Sequence, residues 1–253
     1  AAACQAAVDR DDRLAGAFRC LGTVAMRRSD YDVAVAHFSR AVYLEPTSDE
    51  AVGGLATAYS RLGRGMEAEQ THRAAVNLRP LYIPARFDLV VFLYVQGRID
   101  EAVEQLERVV ELAPSYQGAV SSLGGLYTLQ GRYEEAVGLL ERANQLQPTG
   151  DAFTNLATTY FVLRRYAEAV AAFRESIRFE QNEHVLWGNL GDAYFWAPGE
   201  RDNAIGAYER AVELARAQLA RDPDDQETRG DLAKYLAYLG ERDVARQQIE
   251  AAL

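Results

Sequence analysis

The chain has 253 residues, 49% of them hydrophobic, and a formal net charge of −10. That charge argues against nucleic acid and anionic lipid as partners, because backbone recognition needs a basic face to release counterions. No run of about 18 apolar residues occurs, so no membrane-spanning helix and no membrane insertion are expected; no targeting segment is expected either.

In chain order, residues 1–14 come first. Cys4, Ala7 and Val8 match the end of an amphipathic helix and read as the remnant of a preceding unit's second helix. The chain is accordingly expected to be a fragment of a longer protein. From residue 15 a pattern sets in that returns every 34 residues. Pro46, Pro80, Pro114 and Pro148 mark it, and the small or apolar Gly22, Ala56, Val90 and Gly124 keep the same step, as do Ala34, Ala68, Ala102 and Ala136. A period of this size means one supersecondary unit stacked on copies of itself.

The unit is legible between Gln117 and Gly150. Val120, Leu123, Gly124 and Tyr127 lie on one face of a helix. Gly131 ends that helix, since glycine suits the left-handed residue of a helix terminus. Tyr133, Ala136, Val137, Leu140, Ala143 and Leu146 form a second stripe, and Pro148 stops it. Gly124 and Ala136 leave room for close helix approach. The units are expected at 15–48, 49–82, 83–116, 117–149, 150–183, 184–225 and 226–253. The fourth-to-fifth step is one residue short. The sixth-to-seventh step is 42, with one extra residue in Ala197-Pro198-Gly199-Glu200 and a second helix of near twenty residues running toward Asp222-Pro223. At the far end Ile249, Ala252 and Leu253 form an apolar face that needs a cover.

Taken together, these residues resemble the tetratricopeptide repeat (TPR). The Leu-small pairs are Leu21-Gly22, Leu55-Ala56, Leu123-Gly124, Leu156-Ala157, Leu190-Gly191 and Leu232-Ala233. Tyr59, Tyr127, Tyr160 and Tyr194 follow four residues later, and Ala169, Ala204 and Ala245 continue the second-helix alanines. The resemblance implies an all-α fold: a right-handed α-solenoid of antiparallel helix pairs, with about seven units. The segment Leu186 to Tyr194 and the long sixth unit resemble TPR regions of bacterial multidomain signalling proteins. Arginine outnumbers lysine almost completely, Lys234 being the single lysine, which fits a GC-rich bacterial genome.

No catalytic site is expected. His37, His72 and His184 fall in different units, and His72 takes the bulky packing position held elsewhere by Phe38 and Phe173. No metal spacing, phosphate loop or dinucleotide fingerprint occurs, so neither metal nor other cofactor is expected. Gly53-Gly54 and Gly124-Gly125 lie inside helices and read as packing devices. Cys4 and Cys20 read as two free thiols rather than a disulfide framework.

In the family, the first helix of each unit lines a concave groove. Carried onto this sequence, the groove residues include Arg19, Arg27 and Arg61; Phe87, Asp88, Val91 and Tyr94; Asp151, Thr154, Asn155, Thr158, Phe161 and Val162; Asn189, Asp192, Phe195 and Trp196; and Glu227, Asp231, Lys234 and Tyr238. Asn155 and Asn189 occupy equivalent places in consecutive units. An amide both donates and accepts, as an extended peptide backbone requires. Tyr94, Phe161, Phe195 and Trp196 stand where a solenoid without partners could carry polar residues. Glu227 and Asp231 replace the basic groups of the chaperone-type carboxylate clamp, which disfavours a free C-terminal carboxylate as ligand. Arginines gather near the first two units and carboxylates near the last two, so a peptide with acidic and basic ends is expected to lie along the groove. The reading is a non-catalytic protein–protein interaction scaffold that binds an extended peptide or partner helix, as the regulatory or sensor part of a larger bacterial signalling protein. The alternative is a stand-alone assembly or secretion adaptor that self-associates through its terminal units. A cytoplasmic location is expected, or a periplasmic one if the parent protein carries a transmembrane segment.

Overall fold

The computed structural model describes residues 2–252. Among these the chain forms fifteen α-helices and no strand, and none of the helices is long and apolar enough to cross a membrane. The helices divide into two compact units, Ala1–Pro114 and Ser115–Leu253. Unit 1 holds α1 (Ala2–Arg10), α2 (Ala15–Arg27), α3 (Tyr31–Leu44), α4 (Asp49–Arg61), α5 (Gly65–Leu78), α6 (Ile83–Val95) and α7 (Ile99–Leu112). Unit 2 holds α8 (Gln117–Leu129), α9 (Tyr133–Leu146), α10 (Gly150–Val162), α11 (Tyr166–Phe179), α12 (His184–Trp196), α13 (Arg201–Leu219), α14 (Gln226–Tyr238) and α15 (Arg242–Ala252).

The pairs close for one recurring reason. A bulky residue of the second helix fills the space left by a glycine on the first. A Cβ added at Gly124 would sit 2.6 Å from Leu140, and one at Gly191 would sit 2.6 Å from Tyr208. In unit 1 the buried Phe38 ring serves two glycines at once, Gly22 in its own pair and Gly54 in the next, where an added Cβ would come within 2.5 Å of the ring. Helix packing this tight excludes even a methyl group. Burial of the alanines at the same contact, Ala34, Ala68, Ala102, Ala136 and Ala169, is complete.

Short left-handed turns join the helices within each pair. The expected left-handed Gly131 has φ 78°, and Gly63, Gly97 and Gly240 repeat it; Ser29 and Arg164 adopt the same conformation without glycine. In each case the amide three residues past the last helical residue bonds back across the turn, as in Arg132 N–H to Tyr127 C=O at 2.9 Å and Arg165 N–H to Tyr160 C=O at 2.8 Å. This is the Schellman pattern, which satisfies carbonyls the helix leaves open. The α9–α10 turn is one residue shorter than the α3–α4 turn, and α13 runs for 19 residues against 14 in α11. Ser48, Thr149 and Asp225 cap the following helices by accepting an amide hydrogen bond.

First helices of successive pairs pack on one another, α2 with α4, α4 with α6 and α8 with α10, whereas second helices of successive pairs do not do so to a comparable extent. The first helices therefore take the inner, shorter arc across α2, α4 and α6 in unit 1 and across α8 and α10 in unit 2.

The expectation of free thiols is corrected. Cys4 and Cys20 form a disulfide, with Cα atoms 6.0 Å apart. Packing of α1 against α2 brings these positions together, although 16 residues of sequence separate them. No residue of α1 is buried, and the disulfide adds a covalent tether to its packing on α2. At the other end Ile249 is exposed on α15. The rest of the expected apolar face, the Ala252 side chain and Leu253, lies outside the described residues.

Candidate functional site

In unit 1 the candidate residues divide by their partners. Arg19 on α2 is held by α4 and its cap: its Nε lies 2.7 Å from Glu50 Oε2, and its guanidinium donates to Ser48 Oγ at 3.2 Å. Its charge is matched inside the unit. Arg27 and Arg61, the last residues of α2 and α4, are exposed and have no partner among the described residues. Between α4 and α6 lies a cleft of about 340 Å³ with Asp49, Glu50, Thr57 and Asp88 in its lining. Asp88 stands open at the rim, yet desolvation by the cleft walls pushes its carboxyl above the usual range. Phe87 is half-buried; Val91 and Tyr94 are exposed.

Unit 2 brings its candidates closer together. Asn155 on α10 faces a polar cleft of about 370 Å³ shared with α8, whose lining includes Gln117, Ser122, Thr149 and Asp151. Asn189 on α12 faces a smaller cleft of about 80 Å³ shared with α10, lined by Thr158, Phe161, Phe173 and Asp192. Both amides lie mid-helix and cap nothing. Neither bonds another group of the described residues, so both present a free donor and a free acceptor. Thr154, by contrast, is occupied: its hydroxyl bonds Gly150 C=O at 3.0 Å and Ser176 Oγ at 2.7 Å.

Asp192 is occupied as well. Tyr208 Oη donates to it at 2.7 Å and Lys234 Nζ at 2.6 Å, and its side chain is mostly buried. Burial, and then this carboxylate, push the Tyr208 hydroxyl well above its ordinary pKa. Asp231 lies 3.9 Å from Nδ1 of the buried His184, while Glu227 is exposed. Of the acidic groups expected to meet a basic peptide end, Asp192 is thus engaged within the unit.

The aromatic candidates form one connected series. Phe161 meets Tyr166 edge-on at 5.4 Å, and Tyr166 stacks on Trp196 at 6.2 Å. Trp196 meets Phe195 at 5.3 Å, Phe195 lies 5.6 Å from Tyr238, and Tyr238 stacks on Tyr208 at 4.9 Å. Phe161, Tyr166 and Phe195 are half-buried, whereas Val162, Trp196 and Tyr238 are exposed.

The histidines serve packing. His72 is buried against Phe92 at 5.3 Å, and burial pulls its pKa down to about 4. His184 is buried between Tyr235 and Thr228. Among the described residues no three His, Cys, Asp or Glu side chains are placed to hold a metal ion. A cavity of about 800 Å³ opens between α11 and α13 and includes Arg174, Glu175, Trp187 and Asn203 in its lining. It lies where the second helices diverge, and no candidate residue lines it.

Family models described as tetratricopeptide repeat match residues 21–83 and 87–151, 149–180, and 185–218. The chain belongs to the tetratricopeptide repeat family. Among solved structures, a tetratricopeptide repeat protein from Parabacteroides merdae ATCC 43184 is similar with a TM-score of 0.67 and 17% identity, over 94% of this chain and 98% of that one. YrrB, described as a TPR protein with an unusual peptide-binding site, gives a TM-score of 0.58 and 20% identity over 73% of this chain and 95% of its own. A chain of the APC/C hetero-tetramer Cut9–Hcn1 gives 0.67 and 18% over 92% of this chain but 45% of its own, so this chain spans less than half of that one. No curated protein sequence matches. Proteins of this repeat family are generally interaction scaffolds without catalysis.

One recurring feature of these TPR units escaped the sequence reading. The residue opening the second helix is an arginine that lies over the preceding tyrosine ring and pairs with a glutamate three residues on. Arg64 does so with Tyr59 and Glu67, Arg132 with Tyr127 and Glu135, and Arg165 with Tyr160 and Glu168. The signal was present as Tyr, then Arg five residues later, then Glu after three more. These exposed pairs contribute little each, but they fix the turn beside the exposed ends of the first helices.

Proposed function

We propose that this chain is a non-catalytic protein-interaction module that holds an extended segment of a partner along the exposed face of its first helices. The observation that carries the reading is the pair of unengaged amides, Asn155 and Asn189, at equivalent places on α10 and α12, each at the mouth of a cleft. Each can donate to and accept from the main chain of an extended peptide, and such a pair fixes its register. Phe161, Phe195, Trp196 and Tyr238 beside them supply apolar contact, while Arg27 and Arg61 offer unmatched positive charge in unit 1. Phe87 and Tyr94 stand on the corresponding first helix α6 within unit 1.

The resemblance of Leu186 to Tyr194 to signalling-associated TPR regions supports a regulatory role within a larger bacterial signalling protein. The exposed Ile249 on α15 favours a second reading, an adaptor that self-associates through its terminal units; a mass that rises with concentration in sedimentation would support it.

Selection of binders from a random peptide library displayed on phage tests the main reading. Asn155→Ala together with Asn189→Ala is expected to weaken selected peptides by about tenfold, the loss of two hydrogen bonds of roughly 0.5–1.5 kcal/mol each. Unchanged affinity in the double variant, or no enriched peptide, would overturn it.

A further inference from the structure

We propose that the Cys4–Cys20 disulfide is a redox switch: a dithiol reductant opens it and frees α1 from the face of α2. This inference stands apart from the peptide-binding reading above.

Register shows what the bond replaces. Cys4 to Cys20 is a step of 16 residues. Phe38 to Gly54 is the same step, with each residue 34 places further along. Phe38 is buried and gripped from two sides, by Gly22 of its own pair and by Gly54 of the next first helix. Cys4 stands at the corresponding place on α1, yet among the described residues it meets only the α2 side. Packing therefore cannot lock it as it locks the ring. A sulfur–sulfur bond takes over that contact, and such a bond opens chemically.

Little else fastens α1. None of its residues is buried. Among the described residues no hydrogen bond or ion pair joins it to α2, and its side-chain bond from Gln5 to Asp9 is internal. At nine residues it is also shorter than the roughly 12–15 that an isolated helix needs in water. Cutting the link thus removes docking and helix together. By contrast α2 keeps α3 and α4 as partners, with the Phe38 ring against Gly22.

Cys20 is exposed and Cys4 half-buried, so an incoming thiolate reaches Cys20 Sγ first. Attack there forms a mixed disulfide and expels the Cys4 thiolate, which takes up a proton. The second thiol of the reductant then attacks the reductant's own sulfur in that mixed disulfide. Cys20 leaves as a thiolate and is protonated. Two electrons have passed to the protein, and the reductant departs as a disulfide. The chain has 2 cysteines, so reoxidation has a single intramolecular product, and the short tether keeps the thiols near one another.

The opened state alters one place on the first helices. Cys20 is the sixth residue of α2, as Asn155 is of α10 and Asn189 of α12. Release of α1 leaves a free thiol there. It also opens the cleft of about 330 Å³ that Ala2 and Gln5 share with Leu21, Val24, Val33 and His37.

Amide hydrogen exchange on the full chain, air-oxidised and after dithiothreitol, tests the switch. Reduction should lower protection of the α1 amides about tenfold or more, as loss of a link closing a loop of this length allows, while α3 to α15 change by less than about twofold. Cys4→Ser should show the released α1 with or without reductant. Oxidised glutathione should restore protection in wild type and not in Cys4→Ser. Equal protection of α1 in oxidised protein, reduced protein and Cys4→Ser would overturn the switch and leave a passive staple. Two alkylatable thiols in the air-oxidised protein would overturn it too. So would a loss of protection that spreads through α3, since the bond would then hold the first pair itself.

Discussion

Unit 1 and unit 2 use the same helix pair, yet they differ at two equivalent positions in opposite ways. The residue that plugs the first helix from the second is Phe38, His72 and Leu106 in unit 1, and Leu140, Phe173 and Tyr208 in unit 2, all buried. The residue that ends the first helix is Arg27, Arg61 and Val95 in unit 1, and Leu129, Val162, Trp196 and Tyr238 in unit 2, all exposed. At the first position the chemistry changes but bulk stays, because the small residue opposite, glycine or alanine in every pair but that of Val90 with Leu106, must be matched in volume. At the second, packing imposes nothing, and arginine in α2 and α4 gives way to apolar residues in α6 and in the first helices of unit 2. The lesson is that exposed positions held in register carry more functional information than the motif that defines the fold.

Acidification should separate the units most. His72 in unit 1 is the one ionisable plug with a pKa lowered to about 4, by burial, from an ordinary 6.5. Its neutral form therefore stabilises the fold fully above pH 6.5, and that contribution is lost as pH falls toward 4. The full difference is up to about 3 kcal/mol. Urea unfolding of wild type against His72→Phe, the residue found at this place in α3 and α11, should give curves that diverge below pH 6.5. Parallel curves would mean that the unit 1 plug tolerates a charge.

A smaller effect is expected in unit 2 from Gly188→Ala. The added Cβ would fall 2.3 Å from the ring of Tyr235, which is buried and cannot swing aside. A loss of about 1–3 kcal/mol should appear in thermal melts, with α12 and α14 losing amide-exchange protection first. An unchanged melt would show that these helices part without cost.

The smallest effect has the opposite sign. Gly138 lies within α9, and nothing stands within 4 Å of an added Cβ. Gly138→Ala should stabilise by about 0.5–1 kcal/mol. Set beside Gly188→Ala, it distinguishes glycines that packing needs from those that it does not.

Much of the architecture was readable before any coordinates. Pro46, Pro80, Pro114 and Pro148 set the pitch, Gly131 marked a left-handed turn, and Gly124 with Ala136 marked the close contact. The short α9–α10 turn and the long α13 followed from counting residues. Each of these is local: it depends on helix period, turn chemistry and side-chain size within one pair. The candidate face was legible only as a set of positions. Which residues there are free was not, because Arg19 finds Glu50 on the next first helix and Asp192 finds Lys234 two helices away, 42 residues on.

By itself, then, the sequence determined helix pairing, because the apolar repeat leaves each helix one partner face. Only the tertiary structure decided that Cys4 reaches Cys20, that Asp192 is matched and Asn155 and Asn189 are not, and that six rings from Phe161 to Tyr208 join into one series. Those outcomes turn on distances between helices that are neighbours in space and far apart along the chain, and a one-dimensional pattern does not contain those distances.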